Sequence, residues 1–474
     1  MGIEIMKCSV ESTLEEVLKC IDVNGKKAAF LVDRNDIMVG ILTDGDIRRC
    51  LLDGHGLKEK AIQFAIKSFK YAHVADNPEE VFKLFDYKVS ILPILDEKGR
   101  VVDYSEYNEN MHISVAQPQL NGNEYKYLMD AFLSTWISSN GKYITQFEEK
   151  FAAFCGASHG VATSNGTTAL HLALVALGIG VGDEVIVPDL TFAATINAVI
   201  YTGATPVIVD VEEDSWCIDP DKIEEAITDK TKAIIPVHVY GQPCDMERIC
   251  DIAHRNNIII VEDCAEAHGA EFNGKKVGTF GAIGCFSFFG NKVITTGEGG
   301  MCITNDTELD RAMRVLRDHG MSKTRRYYHE VVGFNYRMTN MQAAIGCAQL
   351  ERITDILQER KKLEDLYRER LSDSAIVFQR NNLAKRKKIT WLVSGLVEEK
   401  VRPKLFAKMA EGGIDTRGFF TPLSEMDIYR QYANRTCEVS HHISKCGINF
   451  PTSYEISQEV IDRIHDDLNA VVND

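Results

Sequence analysis

Apolar and polar residues alternate with two different periods along most of this chain. From about Val161 onward, short runs rich in Val and Ile, such as EVIVP, TPVIVDV, KAIIPVHVYG and IIIVED, alternate with stretches of helical period, such as ALHLALVALG and DMERICDIAHRNN. Short apolar strands separated by helices predict an α/β fold, with a mainly parallel sheet covered by helices on both faces. Because functional groups in such sheets gather at the carboxyl ends of the strands, the residues that follow each strand are the first candidates for chemistry.

The first hundred or so residues follow a different pattern, which occurs roughly twice. The first copy runs from a helix, STLEEVLKCID, through a strand, KAAFLVD, a turn, RND, and a strand, IMVGILT, into an acidic helix start, DGDIRRCLLDG. The second copy, NPEEVFKLFDYKVSILPILDEKGRVVDYSEY, predicts helix, strand, turn and strand. The repeat predicts two small units packed against each other. A new amphipathic helical region begins after 107–111, which predicts a domain boundary there.

The first copy resembles a cystathionine-beta-synthase-type (CBS) motif, and the pair resembles a tandem CBS module. The resemblance implies a site for an adenine nucleotide, or a guanine nucleotide, in which Thr43 and Asp46 of the T-x-x-D step contact ribose and phosphate. The second copy departs from this pattern, since it reads VVDYSEY where G-x-x-T-x-x-D is expected. The alternative is a folded pair that packs on the rest of the chain or mediates assembly without a ligand.

Composition and charge narrow the class of protein. The chain has 474 residues, 45% hydrophobic and 26% charged, which is typical of a folded protein with two or three domains. A formal net charge of −16 argues against nonspecific nucleic-acid binding, although a helix start could still hold a phosphorylated small molecule. The thirteen cysteines form no C-x-x-C pair, the first residues lack an apolar signal core, and no apolar run approaches membrane-spanning length. We therefore expect a cytoplasmic protein without a membrane span or a metal site.

Three stretches of the chain carry candidate chemistry. SNGTTALHLAL places small hydroxyl-bearing residues at a helix N-terminus, where they could cap the helix or bind a phosphate. IIIVEDCAEAHGA ends an apolar strand in Asp263, which could pair with a protonated pyridine nitrogen or serve as a cap or salt bridge. In FSFFGNKVITTGEGG, burial among aromatic residues would favour the neutral amine that Lys292 needs as a Schiff-base lysine, although a solvated lysine is the alternative. The aromatic residues are Phe286, Phe288 and Phe289.

In chain order these features are a phosphate cup, a strand-end Asp and a lysine, the order found in aminotransferases of the large pyridoxal phosphate (PLP) fold. The region from about Ile113 to the C-terminus resembles the DegT-type sugar-nucleotide aminotransferases. The resemblance rests on STWISS, SNGTTALHLALVALGIGVGDEVIVP, TGATPVIVDV, VHVYGQPCDM, EDCAEAHGA, FSFFGNKVITTGEGGM and GFNYRMTNMQAAIG. It implies a large PLP-binding domain of fold type I at 111–360 and a small C-terminal α+β domain at 361–474, after a CBS-like module at 1–108.

The resemblance also implies roles for individual residues. Lys292 would hold PLP covalently and move protons between cofactor and sugar carbon, while Asp263 would pair with the pyridine nitrogen. The other implied cofactor contacts are Gly166, Thr167 and Ser287 around the phosphate, Asn335 reaching the phosphate from a second subunit, Phe192 stacked on the pyridine face, and Glu266 near the O3' oxygen. As alternatives, Phe192 is a core residue, Asn335 a turn residue and Glu266 a solvated helix charge.

The implied reaction is PLP-dependent transfer of an amino group from L-glutamate to C4 of a nucleotide-linked 4-keto-6-deoxy sugar. The resemblance favours GDP-4-keto-6-deoxymannose as acceptor and GDP-perosamine, for O-antigen (lipopolysaccharide) biosynthesis, as product. The alternatives are a UDP-linked 4-keto-6-deoxy sugar as acceptor, or a nucleotide-sensing CBS module that regulates the fused enzyme. Because similar sugar dehydratases carry histidine in place of the lysine, Lys292 favours transamination over dehydration. Possible substrate contacts are Arg325, Arg326, His329 and Arg417, which could equally be exposed basic loop residues. The shared site implies a homodimer or a higher homo-oligomer.

Overall fold

The chain divides into two compact units, Met1–His112 and Ile113–Asp474. The computed structural model describes residues 3–74, 76, 81, 84, 89, 91–106, 113–322, 324–453 and 456–473. The domain boundary predicted between 108 and 111 therefore lies outside the described residues. Of the helices in these ranges, none is both long and apolar enough to cross a membrane.

The N-terminal unit contains two three-stranded sheets of the same topology. In each sheet the first strand runs parallel to the second, and the second forms an antiparallel hairpin with the third. The strands are β1 (Lys7–Ser9), β2 (Ala28–Val32), β3 (Met38–Thr43), β4 (Ala72–His73), β5 (Ile91–Leu95) and β6 (Val101–Glu106), and the helices are α1 (Leu14–Asn24) and α2 (Asp44–Leu52). The strand topology confirms the predicted repeat, while the helix predicted for NPEEVFKLFD lies largely outside the described residues.

The same turn closes both hairpins. In each, an aspartate side chain, Asp33 or Asp96, accepts the backbone N–H groups of the residues two and four positions later, at 2.8–2.9 Å. The residue three positions later has a left-handed backbone, with φ of +66° at Asp36 and +77° at Gly99. Asp and Gly tolerate this conformation better than most residues, so the local sequence fixes both turns.

The larger unit is organised around a seven-stranded sheet. Its strands are β7 (His159–Thr163), β8 (Glu184–Pro188), β9 (Thr205–Val209), β10 (Thr231–Ile234), β11 (Ile259–Asp263), β14 (Ile283–Ser287) and β15 (Gly300–Thr304); β12 (Glu271–Phe272) and β13 (Lys275–Lys276) form a hairpin outside it. The spatial order is β7-β15-β14-β11-β10-β8-β9. Every pair is parallel except the two pairs that β15 makes with β14 and β7. The predicted mainly parallel sheet is confirmed.

Helices cover both faces of this sheet because its strands are apolar on both sides. Ile186 belongs to one apolar cluster, and its neighbours Val185 and Val187 belong to another, as side-chain alternation along a strand requires. The helices are α3 (Glu124–Leu133), α4 (Lys142–Cys155), α5 (Gly166–Ala176), α6 (Ala194–Tyr201), α7 (Pro220–Ala226), α8 (Met246–Asn256), α9 (Thr307–Arg317) and α10 (Asn340–Glu351).

The strand predicted for KAIIPVHVYG is shorter than expected. β10 ends at Ile234, shortly before Pro236, which has no N–H to donate to a neighbouring strand. The chain then enters a short 3-10 turn, Val239–Gly241, in which Tyr240 has a left-handed backbone with φ of +51°. This turn carries Tyr240 to the carboxyl edge of the sheet.

The C-terminal part adds a small four-stranded antiparallel sheet and several helices. The strands are β16 (Val377–Phe378), β17 (Arg386–Lys387), β18 (Val393–Leu396), β19 (Arg417–Gly418) and β20 (Gly447–Phe450), and the helices are α11 (Ile353–Arg370), α12 (Arg402–Glu411), α13 (Glu438–Cys446) and α14 (Gln458–Asn473). The sheet order is β16-β18-β20-β19, while β17 pairs with β12. The boundary predicted at 360/361 falls inside α11, which continues unbroken to Arg370.

Candidate active site

Lys292 lies just beyond the end of β14, and its side chain is mostly buried. Its Nζ lies 3.6 Å from Glu266 Oε1 and 3.9 Å from the centre of the Trp391 ring. Burial lowers the pKa of the Lys292 amine, while the negative charges of Glu266 and Asp263 act in the opposite direction. The amine is therefore closer to its neutral form than a surface lysine, and the neutral form is the one that attacks a carbonyl.

The aromatic residues around Lys292 differ from the predicted set. Phe286 and Phe288 are buried, but Phe289 is 47% exposed, so it does not help to bury the amine. Residues 286 and 288 point to the same side of the extended chain, and 289 points to the other side. The ring over the amine belongs instead to Trp391, whose indole N–H donates to the carbonyl of Asn291 at 2.8 Å.

Asp263 ends β11 with its carboxylate buried. Thr195 Oγ1 donates to Asp263 Oδ2 at 2.8 Å, and the backbone N–H of Ala265 donates to Oδ1 at 3.1 Å. Burial raises the pKa of the Asp263 carboxyl, while these two hydrogen bonds and the charge of Lys292 oppose the rise. A carboxylate can accept more than two hydrogen bonds, so Asp263 has capacity for one more donor, such as a protonated ring nitrogen.

Glu262, the residue before Asp263, is fully engaged in the structure. Its carboxylate accepts three backbone N–H groups from the 278–281 loop at 2.6–2.7 Å and lies 3.2 Å from His238 Nε2. Among the described residues, Glu262, His238 and Cys264 are close enough together to hold a metal ion. The backbone donors already occupy both carboxylate oxygens, which favours a role in holding the loop.

Glu266 is buried beside Lys292, so the alternative of a solvated helix charge is wrong. Its Oε2 accepts the backbone N–H of Tyr240 at 2.8 Å, and its Oε1 faces the Lys292 amine. Burial raises the pKa of Glu266 to about 7, although the positive charge of Lys292 acts against the rise. This carboxyl can therefore gain or lose a proton near neutral pH.

The predicted phosphate cup lies where α5 begins beside the end of β14. Asn165 caps the helix by accepting the backbone N–H of Thr168 at 2.9 Å, while the amides of Gly166 and Thr167, in the first turn, have no intrahelical acceptor. Gly166 lies directly against Ser287, since a Cβ at position 166 would be 2.8 Å from Ser287 Cβ. The helix start and the serine are thus brought together, in an arrangement that suits a phosphate.

Phe192 and Asn335 are both exposed. The Phe192 side chain is 60% exposed, which excludes the alternative of a core residue, and its ring centre lies 6.0 Å from that of Phe420. The Asn335 Oδ1 accepts hydrogen bonds from the Arg337 guanidinium at 3.1–3.2 Å. The stacking role of Phe192 and the role of Asn335 in a second subunit's site stay predictions.

The four basic residues predicted to contact substrate are exposed. Arg325 and Arg326 lie over the rings of tyrosines in their own loop, and the His329 ring is hydrogen-bonded to a backbone carbonyl at 2.8 Å. Arg417 begins the short strand β19. In the described part of the chain, none of the four side chains contacts Lys292, so their substrate role stays a prediction.

In the N-terminal unit, Thr43 and Asp46 form a capping box for α2. Thr43 Oγ1 donates to Asp46 Oδ2 at 2.6 Å, and the backbone N–H of Asp46 donates back to Thr43 Oγ1 at 3.2 Å. Arg49 donates to the other carboxylate oxygen at 2.5 Å. Helix capping accounts for the T-x-x-D spacing without a ligand, and nucleotide binding at this step stays a prediction.

Several residues of the site have only a weak signal in the sequence, or none. Thr195 follows Thr191 by one helical turn, and their hydroxyls are 2.9 Å apart, a local signal that could have been noticed. Trp391 and Tyr240 come from distant segments, so no local pattern points to them. His268 is a buried imidazole whose two ring nitrogens have no hydrogen-bond partner within the described ranges, and burial lowers its pKa to about 3.

Comparison with known families agrees with this site. The model described as the DegT/DnrJ/EryC1/StrS aminotransferase family matches residues 118–469. The chain belongs to this aminotransferase family. A CBS domain model matches residues 1–53, which is the first copy of the N-terminal repeat.

Similar proteins of this family include sugar-nucleotide enzymes. GDP-perosamine synthase of Caulobacter vibrioides is 46% identical over 364 residues, covering 76% of this chain and 98% of that protein. GDP-perosamine synthase of Escherichia coli O157:H7 is 44% identical over 365 residues, covering 77% and 99%. A UDP-N-acetyl-3-dehydro-alpha-D-glucosamine 3-aminotransferase of Acidithiobacillus ferrooxidans is 40% identical over 319 residues, covering 67% and 85%.

Among solved structures, Spr1654 of Streptococcus pneumoniae in its PLP-form superposes on the aminotransferase with a TM-score of 0.73 and 27% identity. The superposition covers 76% of this chain and 99% of that chain, and the PMP-form of the same protein gives a TM-score of 0.73. The predicted α/β aminotransferase fold and the predicted cofactor, PLP, are therefore confirmed.

Proposed function

We propose that this chain is a PLP-dependent aminotransferase that moves the amino group of L-glutamate to C4 of GDP-4-keto-6-deoxymannose and forms GDP-perosamine. The observation that carries the proposal is the similarity to two GDP-perosamine synthases over almost their entire length, joined to a buried lysine beside a strand-end aspartate. L-Glutamate leaves as 2-oxoglutarate, so the donor carbon loses the amino group that C4 of the sugar gains.

The residues of the site fit PLP. The amides at the start of α5 and the adjacent Ser287 hydroxyl would bind the phosphate, and the close approach of Gly166 to Ser287 leaves no room for a side chain between them. Asp263 would accept a hydrogen bond from the protonated pyridine nitrogen of PLP, and the exposed face of Phe192 would stack on the pyridine ring. When bound, PLP supplies the electron sink that amino transfer requires.

The protein would handle protons chiefly at Lys292 Nζ. The neutral amine can take a proton from a substrate carbon and return it to another, which is general acid–base catalysis. Glu266, 3.6 Å away, would set how readily that amine gains a proton. Trp391 covers the amine with its ring and would limit the access of water.

Substrate and subunit contacts complete the proposal. We assign Arg325, Arg326, His329 and Arg417 to the diphosphate or sugar, because they are exposed basic residues on predicted substrate loops. Asn335 would complete the phosphate site of a neighbouring copy, which makes a homodimer or higher homo-oligomer the active form. The domain assignment at 1–108, 111–360 and 361–474 is part of the same proposal.

The test is to incubate the purified full-length protein, PLP and 15N-labelled L-glutamate with GDP-linked and UDP-linked 4-keto-6-deoxy sugars, and to analyse the products by mass spectrometry. The proposal expects the label in an aminated GDP sugar, with none in a Lys292→Ala control. Preferred amination of a UDP sugar would favour the second candidate, which the similarity to a UDP-sugar aminotransferase supports. Absence of label from every sugar would overturn both.

A further inference from the structure

Arg360, in α11, carries a positive charge without a counter-charge in the described part of the chain. Its Nη1 donates to the carbonyl of Trp391 at 2.7 Å, and no described carboxylate lies within ion-pair distance. Burial lowers the pKa of its guanidinium to about 10. A guanidinium has five N–H donors, so most of those on Arg360 are left for another acceptor. A partly buried cation costs free energy unless an anion lies beside it.

A cavity of about 250 Å³ adjoins Arg360. Ile356, Leu363 and Leu366 of α11 form one wall, and Val293, the residue after Lys292, contributes to the lining. This volume is somewhat below that of ordinary drug-sized ligand sites, so the cavity suits a small molecule. The rest of the lining includes the polar side chains of Gln117, Gln119 and Ser453 and the apolar side chain of Ile456.

The two other charged residues of the lining, Glu359 and Lys362, have opposite charges. Glu359 and Lys362 both belong to the lining and are exposed. The Glu359 carboxylate is engaged by the Gln119 side-chain amide at 3.0 Å. Arg360 is the half-buried charged group of the lining, whereas Glu359 and Lys362 are exposed, so its charge has most influence on the sign of ligand that the cavity prefers.

The cavity is connected to the catalytic lysine in two ways, one through non-covalent contacts of Trp391 and one through the peptide bond between Lys292 and Val293. Trp391 places its carbonyl on Arg360 and its ring over the Lys292 amine. Val293 lines the cavity and is bonded directly to Lys292. A molecule bound at Arg360 would thus contact the shell that holds the lysine without occupying the position of the amine.

We propose that this cavity binds a small organic monocarboxylate, whose carboxylate pairs with Arg360 and whose hydrocarbon part contacts Ile356, Leu363 and Leu366. Guanidinium and carboxylate form two parallel charge-assisted hydrogen bonds, which suits the donors that Arg360 has left. Against the wall formed by Ile356, Leu363 and Leu366, the ammonium and second carboxylate of L-glutamate would find no hydrogen-bond partner. The site therefore goes beyond the proposed aminotransferase reaction.

The test is calorimetric titration of the full-length, PLP-saturated protein with butyrate. We expect saturable binding that Arg360→Gln weakens at least tenfold, because the charge and the fork of donors are both lost. Lys361→Gln, which changes an exposed cation on the same helix, is the matched control and should bind butyrate like the unchanged protein. Butylamine, with the same hydrocarbon part and the opposite charge, should not bind.

A second variant keeps the test decisive if Arg360→Gln fails to fold, as judged by circular dichroism. Leu366→Trp fills the cavity while keeping the guanidinium, and it should also abolish butyrate binding. The inference is overturned if the unchanged protein shows no saturable binding, if butyrate and butylamine bind alike, or if Leu366→Trp retains full affinity. The heat of binding reports the site independently of aminotransferase activity.

Discussion

Replacing Glu266 by glutamine should lower the pKa of the Lys292 amine. Two unit charges 3.6 Å apart interact by about 4–5 kcal/mol at an effective dielectric constant of about 20, equivalent to roughly 3 pKa units. This is an upper limit near neutral pH, because Glu266 has a pKa of about 7 and is only partly ionised there. Removing a negative charge disfavours the ammonium form, so we expect a downward shift of about 1–3 units.

The shift can be measured through the recovery of cofactor-free protein. Only the neutral amine attacks the aldehyde of PLP, so the rate at which visible absorbance returns should rise with pH and level off above the amine pKa. In Glu266→Gln the midpoint should move to lower pH. Glu271→Gln, which removes a carboxylate bonded to Lys387, is the control and should leave it in place. An unchanged or higher midpoint in Glu266→Gln would show that the Glu266 carboxylate does not stabilise the protonated Lys292 amine.

Three further outcomes follow from the same contacts. Gly166→Ala should weaken PLP retention and lower the free energy of unfolding by about 1–3 kcal/mol, because the new Cβ would lie 2.8 Å from the Ser287 Cβ. Gly180→Ala is the control, because the nearest atom to its new Cβ would be 3.6 Å away. Equilibrium dialysis measures PLP retention and urea unfolding measures stability in both variants. Thr43→Ala should destabilise the N-terminal unit by about 1 kcal/mol in denaturant unfolding even without nucleotide, because it removes a complete capping box, and an unaffected transition would contradict that role. Mixing inactive Asn335→Ala and Lys292→Ala proteins should restore part of the activity in hybrid dimers. If subunit exchange is confirmed and no activity returns, Asn335 does not act in the site of the neighbouring subunit.

The fold of the larger unit could be predicted because its determinants are local. Apolar strands such as β8 and β11 carry their own pattern, and the N-cap at Asn165 lies beside the helix that it starts. The predicted length of β10 is wrong because the apolar run continues past Pro236, whereas the strand ends at Ile234 and only an isolated bridge, Val237 with Asp263, follows it. Periodicity shows where a strand can form, and the neighbouring strands decide where it stops.

The chemistry of the site could be predicted only in part. Asp263 is the last residue of an apolar strand and Lys292 follows the next strand of the main sheet, so the sequence points to both. Trp391 reaches Lys292 from about a hundred residues away, and the left-handed turn at Tyr240 supplies the N–H that holds Glu266. Such contacts depend on long-range packing, which a single sequence does not display.

Every step proposed for this site requires that Lys292 is the residue that binds PLP covalently. The most direct test is to reduce the PLP-loaded protein with borohydride, digest it and locate the pyridoxyl group by tandem mass spectrometry. We expect one modified peptide, carrying the group on Lys292. A pyridoxyl group on any other lysine, or none on a protein that holds one PLP per chain, would contradict it.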